Sequence, residues 1–136
     1  KYRSGRRVAL MGFSMGGLTT LLATTHTSVD AWVGLDPVDM NGQGRVAAAK
    51  LKAPAVILLA EPESWNMHNN ANGLIEAIPG EKQVFRVPGG THLDAEWPTD
   101  LLGQLACGFV DAQRQQQFRE KATAFLKAKL QGAGSP

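Results

Sequence analysis

Residues 8–17 read Val-Ala-Leu-Met-Gly-Phe-Ser-Met-Gly-Gly, an apolar run that passes directly into Gly12-x-Ser14-x-Gly16. A serine in this spacing after a buried strand occupies a sharp strand-to-helix turn, which leaves its hydroxyl exposed at the end of the strand. The backbone folds tightly around such a residue, so a side chain at position 12 or 16 is expected to collide with the neighbouring strand or helix. From Gly16 onward, Leu18, Leu21, Leu22 and Ala23 continue as a helical pattern whose N-terminus points back at the serine. The same five letters also fall by chance in loops. Here an apolar strand precedes them and a helix follows, which is the context the motif demands. Ser14 is therefore expected to be a nucleophile.

The rest of the chain alternates between strand-like and helical stretches. Strands are expected over 7–11, 31–35, 55–60 and 82–87, and helices over 17–27, 70–78 and 98–106. The segment 55–60, Ala-Val-Ile-Leu-Leu-Ala, is apolar throughout, as in a strand covered on both faces of a parallel sheet. Residues 41–44 read as a turn, and 46–51 as a short helix or a connection. Asp111 suits the N-cap of a final helix to residue 130, with Phe118, Ala122, Phe125, Leu126 and Leu130 on one face. A tail follows over residues 131–136. Such alternation predicts an α/β architecture, a parallel sheet flanked by helices, as a single domain over residues 1–136.

Composition narrows the class of function. Hydrophobic residues make up 43% of the 136 and charged residues 19%. No apolar run approaches the 18 or so residues of a membrane span. A net charge of +2 is too mild to suggest a nucleic-acid partner. No Cys/His spacing suggests a metal and no glycine loop suggests a phosphate, so no cofactor is expected. Cys107 is the chain's one cysteine and cannot form a disulfide within it. That leaves the compartment open, with a lean towards a secreted or periplasmic setting.

A serine hydroxyl attacks poorly until a base takes its proton, and the base needs an acid to orient it. Of the three histidines, His26 ends the helix after the serine and suits the capping of carbonyls. His68 lies among Asn66, Asn69 and Asn70 in a polar loop and reads as solvated. His92 follows the last strand through Pro88-Gly89-Gly90-Thr91, which brings it to the sheet edge where Ser14 lies. It is the expected base. Two carboxylates compete for the third role. Asp36 directly ends strand 31–35 and is held by Pro37, whereas Glu63 sits in the longer loop Glu61-Pro62-Glu63, which reads as mobile and solvated. Asp39 and Asp94 suit turns or caps.

Taken together, Gly12-Phe-Ser-Met-Gly-Gly17, Gly34-Leu-Asp-Pro-Val38, residues 53–60 and Pro88-Gly-Gly-Thr-His92 resemble an α/β hydrolase. The type most similar is that of chlorophyllases, platelet-activating-factor acetylhydrolases and bacterial polyester hydrolases. The resemblance spans the chain from the first strand to the final helix. It implies Ser14 as nucleophile and His92 as base. In the chlorophyllase and acetylhydrolase branches the acid follows the strand after the first helix in a Leu-Asp context, which matches Asp36. In the polyester-hydrolase branch it follows the next strand, which matches Glu63, although that branch carries aspartate there. Asp36 is the expected acid and Glu63 the alternative.

The backbone N–H of Met15 is expected to face a developing oxyanion, aided by the helix N-terminus. The fold that the resemblance implies carries several strands before the serine, whereas here Ser14 is only 14 residues from the start. The segment is therefore expected to be the C-terminal half of such a fold, its N-terminal strands and second oxyanion donor lying in the remainder of the same protein. By itself it is expected to be inactive, with strand 7–11 exposing apolar residues along one edge. The expected activity is hydrolysis of a carboxylic ester, from a small molecule, lipid or polymer, through a serine acyl-enzyme. The rival readings are a serine acyltransferase on the same residues and a non-catalytic interaction module built on the same fold.

Overall fold

The computed structural model describes residues 6–131. Four strands, β1 (Ala9–Phe13), β2 (Ala31–Leu35), β3 (Ala55–Leu59) and β4 (Lys82–Arg86), form one sheet in the order β1-β2-β3-β4. All three pairings are parallel, with Gly12 opposite Gly34, Val33 opposite Val56 and Ile57 opposite Val84. The helices are α1 (Met15–Ala23), α2 (Gln43–Ala48), α3 (Asn72–Ala77), α4 (Leu101–Cys107) and α5 (Ala112–Gln131). This is the α/β sheet flanked by helices that the alternation predicts.

Strand order dictates where the helices go. Successive parallel strands joined by right-handed crossovers, always stepping the same way, place every crossover helix on one face. Leu21 of α1, Ala47 and Ala48 of α2 and Leu74 of α3 accordingly share one core with Trp32, Ile57 and Leu59. On the opposite face α5 is the main cover among the described residues. Its Phe118, Ala122 and Phe125 form a helical stripe against Val33, Val56 and Leu58. Because side chains alternate along a strand, β3 feeds both cores and is buried at all five positions. That is the reason for its uninterrupted apolar sequence. β1 pairs with β2 alone among the described residues and is an edge strand there, with its Met11 51% exposed and Val8, just before it, 50% exposed.

Boundaries shift for local reasons. β1 continues to Phe13 rather than ending at Met11, because Gly12 and Phe13 still pair with Gly34 and Leu35. α1 begins at Met15 and stops at Ala23, short of residue 27. The hydroxyls of Thr24 and Thr25 donate to the carbonyls of Leu21 and Leu22, competing with a further helical turn. The helix here runs over Gln43–Ala48, so it takes in the end of the turn expected over 41–44 and stops short of the end of the 46–51 stretch expected as helix or connection. Its first turn is held by the Asp39 carboxylate accepting from the N–H groups of Gly44 and Arg45. Asp111 accepts from Arg114 N–H at 2.9 Å, as suits an N-cap for α5. That helix includes Gln131, where a tail was expected to begin, and residues 132–136 lie outside the described residues.

Candidate active site

Ser14 sits between β1 and α1 with φ 54° and ψ −123°. A residue with a Cβ in this region stores on the order of 1–3 kcal/mol of strain. The turn is held from both sides: Ser14 N–H donates to Leu35 O at 3.0 Å, and Ser14 O accepts from Gly17 N–H at 3.0 Å. Of the two glycines expected to be crowded, Gly12 is and Gly16 is not. A Cβ at Gly12 would lie 2.1 Å from Gly16 O, so that glycine is required. A Cβ at Gly16 would meet nothing within 4 Å, because Gly16 is on the exposed side of α1. The second crowded position is Gly17, where a Cβ would stand 2.7 Å from Pro37 Cβ. The lack of a side chain at Gly17 thus lets the turn after β2 lie against the start of α1.

That turn carries Asp36, with φ 40°, fully buried. Its N–H donates to Leu58 O at 2.7 Å. A carboxylate out of water needs its acceptor sites filled. Asp36 Oδ1 accepts from Ala60 N–H at 2.9 Å, and Oδ2 accepts from Asn66 Nδ2 at 3.0 Å and from His92 Nδ1 at 2.6 Å. The other imidazole nitrogen, Nε2, stands 2.9 Å from Ser14 Oγ. With Asp36 ionised, the ring proton is on Nδ1, and Nε2 is left with a lone pair for the serine hydroxyl. The Phe13 ring lies 4.6 Å from the imidazole, centroid to centroid, and walls it on one side. Three side chains from the ends of β1, β2 and β4 thus meet at the C-terminal edge of the sheet, the edge where parallel sheets gather their loops.

Glu63 lies elsewhere in this arrangement. Its carboxylate accepts from the main-chain N–H of His92, and it opens a 3-10 turn over Ser64–Asn66, whose Asn66 side chain in turn accepts from Glu63 N–H at 2.9 Å. The loop expected to be mobile and solvated is tied down on both sides. Met15 is the first residue of α1, so its N–H belongs to the turn whose donors have no partner within the helix. His26 and His68 are exposed, His26 in the turn that follows α1.

Two supports were missed in the sequence. Asn66, read as one of several polar loop residues, is fully buried and bonded to Asp36. Its only local trace is the Glu63-x-x-Asn66 spacing of a capping box. Asp94 is more than a cap. Its buried carboxylate accepts from Thr91 N–H and Asp111 N–H, both at 2.8 Å, and from Arg114 Nε at 2.6 Å. It therefore ties the His92 turn to the start of α5. The hydrogen bond to Asp94, reinforced by the charges of Asp94 and Asp111, raises the Arg114 guanidinium above its ordinary value against the opposing effect of burial.

Comparison with known proteins adds a family. The model of the dienelactone hydrolase family matches residues 1–93, a stretch that includes Ser14, Asp36, Glu63 and His92. A search of the curated proteins finds no match.

Proposed function

The chain belongs to the dienelactone hydrolase family, an α/β hydrolase family, and from that premise we propose that it is a carboxylic-ester hydrolase working through a serine acyl-enzyme. The observation that supports this most is the unbroken line from Ser14 Oγ through His92 to the buried Asp36, at 2.9 and 2.6 Å. A dienelactone is itself a cyclic ester, so the family's name and the proposed nucleophile point to the same acyl–oxygen bond. The motif resemblance to chlorophyllases, acetylhydrolases and polyester hydrolases points to esters as well.

In this reading Ser14 Oγ attacks the ester carbonyl carbon as His92 Nε2 takes its proton. The carbonyl π electrons move to the oxygen, and the Met15 N–H and the positive end of α1 stabilise the oxyanion. Collapse breaks the acyl–oxygen bond, and His92 returns its proton to the leaving alkoxide, which departs as the alcohol. A water molecule then gives a proton to His92 Nε2 and adds to the acyl-serine carbonyl; collapse breaks the bond to Ser14 Oγ, which takes the proton back from His92, and the acid is released. Asp36 holds the Nδ1–H tautomer throughout and stabilises the imidazolium that forms.

Labelling of the full-length protein by a fluorophosphonate, with hydrolysis of a chromogenic ester alongside, tests the assignment. Ser14→Ala is expected to abolish labelling, and Ser14→Ala and His92→Ala each to lower kcat by several orders of magnitude. The double variant is expected to be little worse than either single one, because such residues act as a unit. A Ser14→Ala protein that keeps more than a few per cent of activity refutes the proposal. Acyl transfer to an added alcohol exceeding hydrolysis would make it an acyltransferase instead.

A further inference from the structure

We propose that Asn66 is a positioning residue that holds the Asp36 carboxylate in register with His92, an inference that rests on the catalytic reading of Ser14, His92 and Asp36. Asn66 is fully buried, and its amide is used at both ends. Oδ1 accepts from Glu63 N–H at 2.9 Å and from Asn69 N–H at 3.2 Å. Nδ2 donates to Glu61 O at 2.8 Å and to Asp36 Oδ2 at 3.0 Å. This pattern fixes which way the amide faces, because the flipped orientation would set an NH2 group against two main-chain N–H donors. The atom presented to Asp36 is therefore a donor.

Ala60 N–H pins one carboxylate oxygen of Asp36 and Asn66 pins the other. With both held, the plane of the carboxylate is set, and Oδ2 faces His92 Nδ1 without sharing its orientation with alternatives. Without Asn66, the carboxylate is free to turn about the Ala60 contact and carries a partly unsatisfied charge out of water. The same short turn also reaches the base, since Glu63 accepts from His92 N–H. Acid and base are thus placed by neighbouring residues of one segment, the acid through its side chain and the base through its main chain. The titratable and charged groups linked to this cluster are Asp36 with His92 bonded to it, Glu61, Glu63 and His68 on the same loop, and Arg86 at the end of β4, which bonds Ala60 O and lies 3.8 Å from Glu61.

Asn66→Asp tests this, read as the rate of fluorophosphonate labelling of Ser14 in the full-length protein across pH. The variant keeps the shape and the acceptor for Glu63 and Asn69 but loses the donor. Two carboxylates in contact cannot both ionise easily, so as pH falls the pair takes up a proton, and the protonated carboxyl can donate where the amide did. The labelling rate relative to the native protein is expected to be about 10- to 100-fold low in alkaline solution and to recover as pH falls. Equal rates at every pH, or a deficit that does not change with pH, overturn the proposal. Should Asn66→Asp not fold, Asn66→Ala is compared in the native and Asp36→Asn backgrounds. Its effect is expected to shrink to within about threefold once Asp36 is gone, and additive losses refute the proposal. Labelling that survives Ser14→Ala would instead overturn the catalytic reading underneath.

Discussion

Replacing Gly12 by alanine isolates the geometry on which the serine turn depends. The added Cβ would stand 2.1 Å from Gly16 O, 2.3 Å from Gly16 C and 2.6 Å from Gly17 N. Carbon contacts are comfortable at about 3.5–4.0 Å, so the overlap exceeds 1 Å. None of the three atoms belongs to a flexible side chain. They are main-chain atoms of the first turn of α1, and relief requires that turn to move together with Ser14 and Met15. The cost is expected at or above the upper end of the roughly 1–3 kcal/mol typical of overpacking. For a domain of this size a loss of about 3 kcal/mol lowers Tm by roughly 10 °C. Gly16→Ala is the control, four residues away with open space around its Cβ. Replacing a helical glycine at such a site is expected to stabilise by about 0.4–1 kcal/mol. Thermal melts followed by circular dichroism, on both variants and the native protein, read the difference directly. A Gly12→Ala protein that melts within about 2 °C of native, or a Gly16→Ala protein that loses more than Gly12→Ala, would refute this account of the turn.

Three further outcomes follow from particular contacts. Asp36→Asn is expected to lower kcat by about 10⁴-fold, as loss of the triad carboxylate does in serine proteases. Glu63→Gln, which keeps an oxygen for His92 N–H, is expected to change it less than about tenfold, and the reverse ranking in steady-state kinetics would move the acid role to Glu63. Arg114→Met removes the charged partner of buried Asp94 but leaves its two main-chain donors, so urea unfolding is expected to show a loss of about 1–3 kcal/mol. A change below about 0.5 kcal/mol would show that the pair does not anchor the His92 turn. Phe118→Ala, at 1% exposure beneath the sheet, is expected to cost about 3–5 kcal/mol, whereas Leu102→Ala, at 76% exposure, is expected to stay within about 0.5 kcal/mol by the same measurement.

The signals readable from the residues alone were local and periodic. The continuous apolar run at 55–60 marks a strand covered on both faces, the spacing of Phe118, Ala122 and Phe125 marks a helix with one buried stripe, and the glycines around Ser14 mark a tight turn. Each of these signals is written within a few residues, because strand and helix periods and the sterics of a turn act over that range. Ser14, His92 and two candidate carboxylates at strand ends could be named for the same reason, since a parallel sheet gathers the loops after its strands on one edge. Asp36 was preferred to Glu63 as the carboxylate facing the imidazole, on the local contrast between a strand end and a longer loop and on the motif resemblance. Asp36 directly follows β2 and Glu63 lies in the loop after β3, and only the packed turns show Asp36 on Nδ1 and Glu63 on the main chain of the same histidine. Gly16 was misjudged because nothing in the sequence says which side of α1 faces Pro37. Asn66 and Asp94 were passed over as loop and cap residues, although each is buried and bonded to segments 30 and 20 positions away. Such roles are tertiary by nature. A buried polar group is defined by the partners that satisfy it, and those partners come from distant segments whose approach no local pattern encodes.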